Sequence, residues 1–261
     1  MTAARSDFDL VQTGRGPDLL LLHSLLTDRS VFDPIVPRLA RTRRVTALNL
    51  PGFGASAPAG PRIEDYADRV ADLFAALPLA AGTDVVGMSF GGFVATALAA
   101  RHGARIRRLA LVDTAAAFPE PSKAPLRGMA ERAVATGMDA VVDTAVRRMF
   151  TEAFIAARPD VIERQAAILR RARPEAFATA CRALADLDLR PVLAAIAHPT
   201  RVVVGALDVT TPPALARELA AGIRGAALVE IPACAHCPPI EKPAELLSAL
   251  EPFLDAAPVP R

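Results

Sequence analysis

The run Asp84-Val85-Val86-Gly87-Met88-Ser89-Phe90-Gly91-Gly92-Phe93-Val94-Ala95 constrains this chain more than any other stretch. Its first half is short, apolar and β-branched, and its second half continues as Phe93, Val94, Ala97, Leu98 and Ala99 at helical spacing. Ser89 therefore falls where a strand becomes a helix. A turn that sharp holds the serine in a strained backbone conformation and crowds the residues two positions to either side, which here are Gly87 and Gly91. It lifts the Ser89 hydroxyl above the sheet edge and presents the Phe90 N–H, at the start of the helix, to negative charge developing beside it. A glycine-rich turn with a capping serine has the same spelling, so the motif acquires meaning only from partners elsewhere in the chain.

Strand-like and helix-like segments alternate on both sides of this turn. Phe8 to Val11 alternates apolar and polar residues as an antiparallel edge strand does. Asp18 to Leu22 is instead apolar on both faces, the mark of a parallel strand covered on both sides. Further strands are predicted over 44–49, 106–113, 200–205 and 227–231, and helices over 31–39, 63–77 and 243–254, with a frayed tail from Asp255 to Arg261. Between about Phe118 and Leu187 the strand pattern stops. Helices are predicted there over 130–142, 144–150, 161–171 and 175–187, opened by Pro119, Pro121 and Pro125. The expectation is an α/β fold with a mostly parallel central sheet and helices on both faces. Its core would be 1–117 and 188–261, with 118–187 inserted as a helical cap, or lid. Met149, Phe150 and Phe154 are candidate walls of a pocket under that cap, and Arg147 and Arg148 are candidate cations for an acidic substrate.

A serine hydroxyl is a poor nucleophile at neutral pH and needs a base within hydrogen-bond reach, itself oriented by a third group. Asp208 follows the strand predicted over 200–205, and His236 follows the one over 227–231. Both sit past the carboxyl ends of strands, where catalytic groups collect in open α/β sheets. Ser89, Asp208 and His236 are thus the candidate nucleophile, orienting acid and base. Asp113 also follows a strand and is the rival acid. Leu25, in the loop His23 to Asp28, is the candidate for a second oxyanion N–H beside that of Phe90. Thr211 reads as a cap and Pro212 as the opening of the next helix.

Cys234 and Cys237 bracket His236 in a Cys-x-x-Cys, but no second ligand pair accompanies them and they do not open a helix as a redox pair would, so no metal is expected. There is neither a Gly-x-Gly-x-x-Gly nor a phosphate loop, so no cofactor is expected. The formal charge is only +2, and the basic residues are spread along the chain, which argues against a nucleic-acid partner. The first residues, Met1 to Asp7, carry no apolar run, and no stretch approaches the roughly 18 apolar residues of a membrane span. Three cysteines, an odd number, suit a reducing compartment. The expectation is a cytoplasmic protein of 261 residues that takes a small-molecule substrate and no membrane, with a homo-oligomer left open.

With these residues in place, the chain resembles an α/β-hydrolase-fold serine hydrolase over nearly its whole length. Within that superfamily it is similar to the 3-oxoadipate enol-lactonase group. The resemblance is carried by Ser24-Leu25-Leu26-Thr27-Asp28, Ser89-Phe90-Gly91-Gly92, the segment Ala183 to Arg190, Asp208 with Thr211-Pro212-Pro213, and Ala235-His236. It implies a cofactor-free hydrolase of a small carboxylic ester or lactone acting through an acyl-enzyme on Ser89. C–C bond hydrolysis of a diketone by the same triad, and ligand reception without turnover, stay open at this point.

Overall fold

The apolar runs pair into one sheet. In the computed structural model, which describes residues 7–77, 79 and 82–256, the strands are β1 (Leu10–Thr13), β2 (Asp18–Leu22), β3 (Arg44–Leu48), β4 (Thr83–Met88), β5 (Ile106–Val112), β6 (Thr200–Gly205) and β7 (Ala227–Ile231). Their order across the sheet is β1-β3-β2-β4-β5-β6-β7; β1 runs antiparallel to β3 and the other neighbours are parallel. Every residue of β2 and β4 is buried, as an apolar run without alternation requires when both faces of a strand are covered. The register aligns Leu22 with Gly87 and Met88 with Val112, so the carboxyl ends of β2, β4 and β5 finish along one edge.

The helices in chain order are α1 (Val36–Leu39), α2 (Ile63–Ala76), α3 (Phe90–His102), α4 (Glu120–Thr136), α5 (Asp139–Arg147), α6 (Glu152–Ala157), α7 (Pro159–Arg170), α8 (Pro174–Asp186), α9 (Arg190–Leu193), α10 (Pro213–Gly222), α11 (Pro238–Glu241) and α12 (Pro243–Asp255). In α3 the residues Phe90 to Ala99 are all buried, so this helix is apolar all round and sits inside the molecule against β4, β5 and α2. By contrast α2 buries one face, made of Ile63, Tyr66, Ala67, Val70, Leu73 and Phe74. At about 1.5–3 kcal/mol per large apolar side chain removed from water, that face far outweighs the contribution of its N-terminal Asp65 side chain, which accepts the Arg62 N–H at 2.9 Å. Among the described residues no helix is long and apolar enough to cross a membrane.

All of the chain between β5 and β6 is helical or loop. Its α4 packs along α8, and α5 packs on α4 and α7. A single antiparallel bridge between Ala117 and Asp188 joins the two ends of this stretch.

Several boundaries differ from the sequence pattern. The helix expected over 31–39 is broken into a 3-10 turn at Arg29–Phe32 and the four-residue α1, because neither Pro34 nor Pro37 has an N–H to carry the helical hydrogen bonds across the break, although Asp33 itself keeps helical dihedrals at φ −51° and ψ −36°. Helix α4 starts ten residues before the expected Ala130, with Pro121 in its first turn, where no backbone bond is lost. It also stops early, since Gly137 takes φ +86° and ends it, so the expected 130–142 helix becomes the end of α4 and the start of α5. The helix expected over 144–150 closes with α5 at Arg147. The end of the tail expected to fray, 257–261, lies outside the described residues.

Candidate active site

Ser89 sits between β4 and α3 with φ 50° and ψ −113°, a conformation that L residues rarely adopt. Two close approaches leave room only for glycine beside it. A Cβ on Gly91 would lie 2.1 Å from the Leu22 carbonyl oxygen, and one on Gly87 would lie 2.3 Å from that of Gly91. The strained peptide is held from several sides: the Ser89 N–H donates to Val112 O at 2.8 Å, the Thr114 hydroxyl donates to Ser89 O at 3.0 Å, and the Gly91 N–H donates to His23 O at 2.9 Å. Such over-determination is what lets a strained residue persist.

The loops after β6 and β7 bring Asp208 and His236 to this turn. His236 Nε2 is 2.9 Å from Ser89 Oγ, and His236 Nδ1 is 2.7 Å from Asp208 Oδ2. All three side chains are buried. Asp208 is held in turn by the Thr210 and Thr211 N–H groups, which donate to Oδ1 at 2.7 and 3.1 Å, and by the Thr211 hydroxyl, which donates to Oδ2 at 2.7 Å. Burial pushes the Asp208 carboxyl up, yet the His236 charge and the hydrogen bonds from His236, Thr211 and Thr210 outweigh it and leave it below its ordinary value. Thr211 thus does not cap the following helix: Pro212 holds the cap position, and the Thr211 hydroxyl braces Asp208.

Asp113 lies beside this trio, with candidate ligand atoms of Asp113, Asp208 and His236 all within 4.8 Å of one another. Asp208 Oδ2 is already shared between His236 and Thr211, so the grouping is a hydrogen-bonded acid–imidazole pair with a second acid behind it. Asp113 Oδ1 accepts the Gly205 N–H at 2.8 Å, and among the described residues its Oδ2 has no hydrogen-bond partner. Burial, and then the Asp208 charge, hold the Asp113 carboxyl well above the usual carboxylate range.

Leu25 lies at the start of the turn after β2, where Ser24 O accepts both the N–H and the hydroxyl of Thr27. His23 braces the same turn. Its Nδ1 donates to Ser24 O at 2.7 Å and its Nε2 accepts the Leu50 N–H at 2.9 Å, which fixes a neutral tautomer; burial holds its pKa down at about 4. Among the described residues, neither the Leu25 nor the Phe90 backbone N–H has a hydrogen-bond partner. Leu25 and Ser89 line one cavity.

That cavity has a volume of about 570 Å³ and reaches from Ser89 and His236 into the helices between β5 and β6. Its walls are mostly apolar, among them Leu26, Phe118, Leu126, Met129, Val141 and Leu184. None of the expected wall residues Met149, Phe150 and Phe154 lines it. Met149 and Phe150 are buried in the hydrophobic core, and Phe150 stacks on Phe154 with ring centroids 5.2 Å apart. Helical periodicity marks a buried face but not which neighbour that face meets. Of the two arginines singled out, Arg148 lines the cavity and Arg147 does not; Arg132, which the sequence did not single out, does. Among the described residues no Asp or Glu lines it, and neither Arg132 nor Arg148 is in an ion pair.

The three cysteines are free and buried. Burial pushes the Cys181 thiol up to about 12, and burial together with Asp113 and Glu241 pushes Cys234 and Cys237 up further. Thiols in that state are poor nucleophiles. Ellman reagent is therefore expected to find no thiol in the folded protein within minutes and three after denaturation; prompt reaction of one or two native thiols would restore a redox reading of Cys234 and Cys237.

A buried strand–serine–helix turn at the end of β4, an acid–imidazole pair past the ends of β6 and β7, and a covered cavity define a class, and comparison with known proteins agrees with it. The alpha/beta hydrolase family matches residues 19–249, and the chain belongs to that family. It is 34% identical over 249 residues to the pimeloyl-[acyl-carrier protein] methyl ester esterase of Chromobacterium violaceum, covering 93% of this chain and 96% of that one. It is 30% identical over 237 residues to 3-oxoadipate enol-lactonase 2 of Acinetobacter baylyi, covering 90% and 87%. Among solved structures, the enol-lactonase of Burkholderia xenovorans superposes with a TM-score of 0.89 at 33% identity, covering 95% of this chain and 96% of that one.

Proposed function

We propose that this chain is a cofactor-free serine hydrolase of small carboxylic esters or lactones, acting through an acyl-enzyme on Ser89. The observation that carries this reading is the continuous hydrogen-bonded path from Ser89 Oγ through both His236 nitrogens to Asp208, at 2.9 and 2.7 Å, opening on a covered cavity. His236 Nε2 takes the Ser89 proton as Oγ attacks the acyl carbon. The oxyanion forms beside the Leu25 and Phe90 N–H groups, and His236 then returns the proton to the departing alkoxide. A lactone leaves its alcohol tethered to the acyl group, whereas an ester releases it. In the second half His236 takes a proton from water, the resulting hydroxide attacks the acyl carbon, and the proton passes to Ser89 as the carboxylic acid leaves. Asp208 holds the Nδ1–H tautomer and stabilises the imidazolium at both stages.

Residues 118–187 act in this reading as a cap that keeps water from the acyl-enzyme and shapes the acyl site. A cavity of about 570 Å³ suits a small metabolite better than a long acyl chain. The names of the relatives, a methyl ester esterase and an enol-lactonase, support ester or lactone chemistry. The test is a fluorophosphonate treatment read by intact mass, with a substrate panel of lactones, short esters and vinylogous diketones. One adduct on Ser89 with ester or lactone turnover is expected. Labelling with a far higher kcat/KM on a diketone would move the assignment to C–C hydrolysis, and no adduct or turnover would make the chain a ligand receptor.

The cavity also bears on substrate charge. With Arg132 and Arg148 at its lining and no acidic side chain there, an ester or lactone carrying a carboxylate is favoured over its neutral counterpart. Both arginines are exposed, so the gain is modest. Arg148→Ala is expected to lower kcat/KM for a monoester of a dicarboxylic acid by roughly threefold to fivefold relative to a neutral ester of equal length. Equal losses on both substrates would remove Arg148 from substrate recognition.

A further inference from the structure

Glu241 is a buried carboxylate outside the Ser89–His236–Asp208 path, and it holds two distant parts of the chain at once. Its Oε2 accepts the N–H of Ala235, the residue before His236, at 2.8 Å. Its Oε1 accepts the N–H of Thr151 at 3.0 Å and the Thr151 hydroxyl. Thr151 is the N-cap of α6, its hydroxyl oxygen accepting the Phe154 N–H at 3.2 Å, so the far end of this contact belongs to the helices over the cavity. Neither Glu241 nor Thr151 lines the cavity. Sequence alone gave no warning of the pair, since 90 residues separate them.

We propose that Glu241 is a positioning residue that couples the seating of α6 to the placement of the His236 imidazole. The inference rests on His236 being the base. Glu241 ends the short helix α11 directly behind the His236 loop, its own N–H donating to Cys237 O at 2.9 Å. The carboxylate is thereby fixed with one oxygen on each side. When α6 is seated, all three donors meet the carboxylate, and the Ala235 peptide is pinned one residue from the ring that must stay 2.9 Å from Ser89 Oγ. When α6 moves away, Oε1 loses both donors and draws water or rotates toward other donors, since a buried carboxylate does not stay unpaired. Rotation releases Ala235. A displacement of about 1 Å at the base is enough to cost on the order of a hundredfold in rate.

The test uses the full-length protein, p-nitrophenyl acetate as substrate and a fluorophosphonate as a second probe of Ser89. In Glu241→Gln the side-chain amide must turn its NH2 toward either the Ala235 or the Thr151 N–H, so one of the two ties is lost while volume is kept. We expect kcat lower by roughly tenfold to a hundredfold with KM within about threefold, and a matching fall in the rate of labelling. Thr151→Val, remote from the reacting atoms, is expected to lower kcat by roughly threefold to tenfold, and the double variant to be no worse than Glu241→Gln. A brace with no coupling role would lower Tm and leave kcat per folded molecule unchanged in both variants. That result, or additive losses in the double variant, overturns the proposal. If Glu241→Gln does not fold, Thr151→Val alone decides, a kcat within twofold of wild type counting against. Wild-type protein that fluorophosphonate does not label at Ser89 would instead remove the serine-hydrolase reading, an outcome distinct from variants labelled as fast as wild type.

Discussion

Ser89→Ala and His236→Ala should each lower kcat/KM for a short ester by on the order of 10⁴ to 10⁶, and the double variant should be hardly worse than the more damaged single one. Residues that act as one device lose their shared function with the first removal. Without Oγ there is nothing for His236 Nε2 to deprotonate across the 2.9 Å contact, and without the imidazole the hydroxyl keeps its proton. On the proposed reading, what survives both losses is the cavity and the Leu25 and Phe90 amides, unpaired among the described residues, which should still polarise a carbonyl that water can attack. Both variants should fold, because the turn is fixed by hydrogen bonds that the Ser89 and Gly91 backbone makes with Val112 O, the Thr114 hydroxyl and His23 O, which the substitutions leave alone. Losses that multiply, or a fluorophosphonate adduct on Ser89→Ala equal to that on wild type, would show that another residue attacks.

The parallel core was legible because its signals are local. Uninterrupted apolar runs at β2 and β4 can be satisfied only by helices on both faces, and the spacing of Gly87, Ser89 and Gly91 permits few backbones. Asp208 and His236 were legible for a related reason: each stands just past a strand, and parallel strands bring such positions to one edge. The helices over the cavity were not legible in the same way. Met149 and Phe150 have the periodicity of a buried face and are buried just past the end of α5, yet neither lines the cavity, whose wall is built from Met129 and Leu126 on α4 and Val141 on α5. The braces were hidden too. Thr211 has the type and position of a helix cap but spends its hydroxyl on Asp208, and His23, which the sequence shows only as the start of a loop, joins Ser24 O through one ring nitrogen and the Leu50 N–H through the other. Side chains that act across the fold carry no short-range signature in the sequence.

The choice of acid is the remaining large effect. Asp208→Asn should cost about 10⁴ in kcat, whereas Asp113→Asn should leave kcat within about threefold. Asn at position 208 can accept the His236 Nδ1–H only through Oδ1 and would no longer stabilise the imidazolium, and its NH2 favours the tautomer in which Nε2 already carries a proton. Among the described residues, the nitrogens of His236 bond Asp208 and Ser89 and neither makes a hydrogen bond with Asp113. Its Oδ1 holds the Gly205 N–H, a contact that asparagine keeps. The two carboxyls also differ in protonation: hydrogen bonds and the His236 charge keep Asp208 low, while burial and the Asp208 charge keep Asp113 high. Because the folded-state pKa of Asp113 lies above its unfolded value, the native state binds the extra proton between the two. The stability linked to Asp113 is therefore fully present at low pH and is lost as pH rises from the ordinary carboxylate range toward the raised folded value. Asparagine cannot ionise, so the Tm of Asp113→Asn should climb relative to wild type as pH goes from about 4 to 7. Crippled turnover in Asp113→Asn with a folded protein, alongside an active Asp208→Asn, would transfer the orienting role to the β5 acid; a Tm difference that stays flat with pH would mean that Asp113 is ionised in the native state and that its burial is relieved by a contact other than the Gly205 amide.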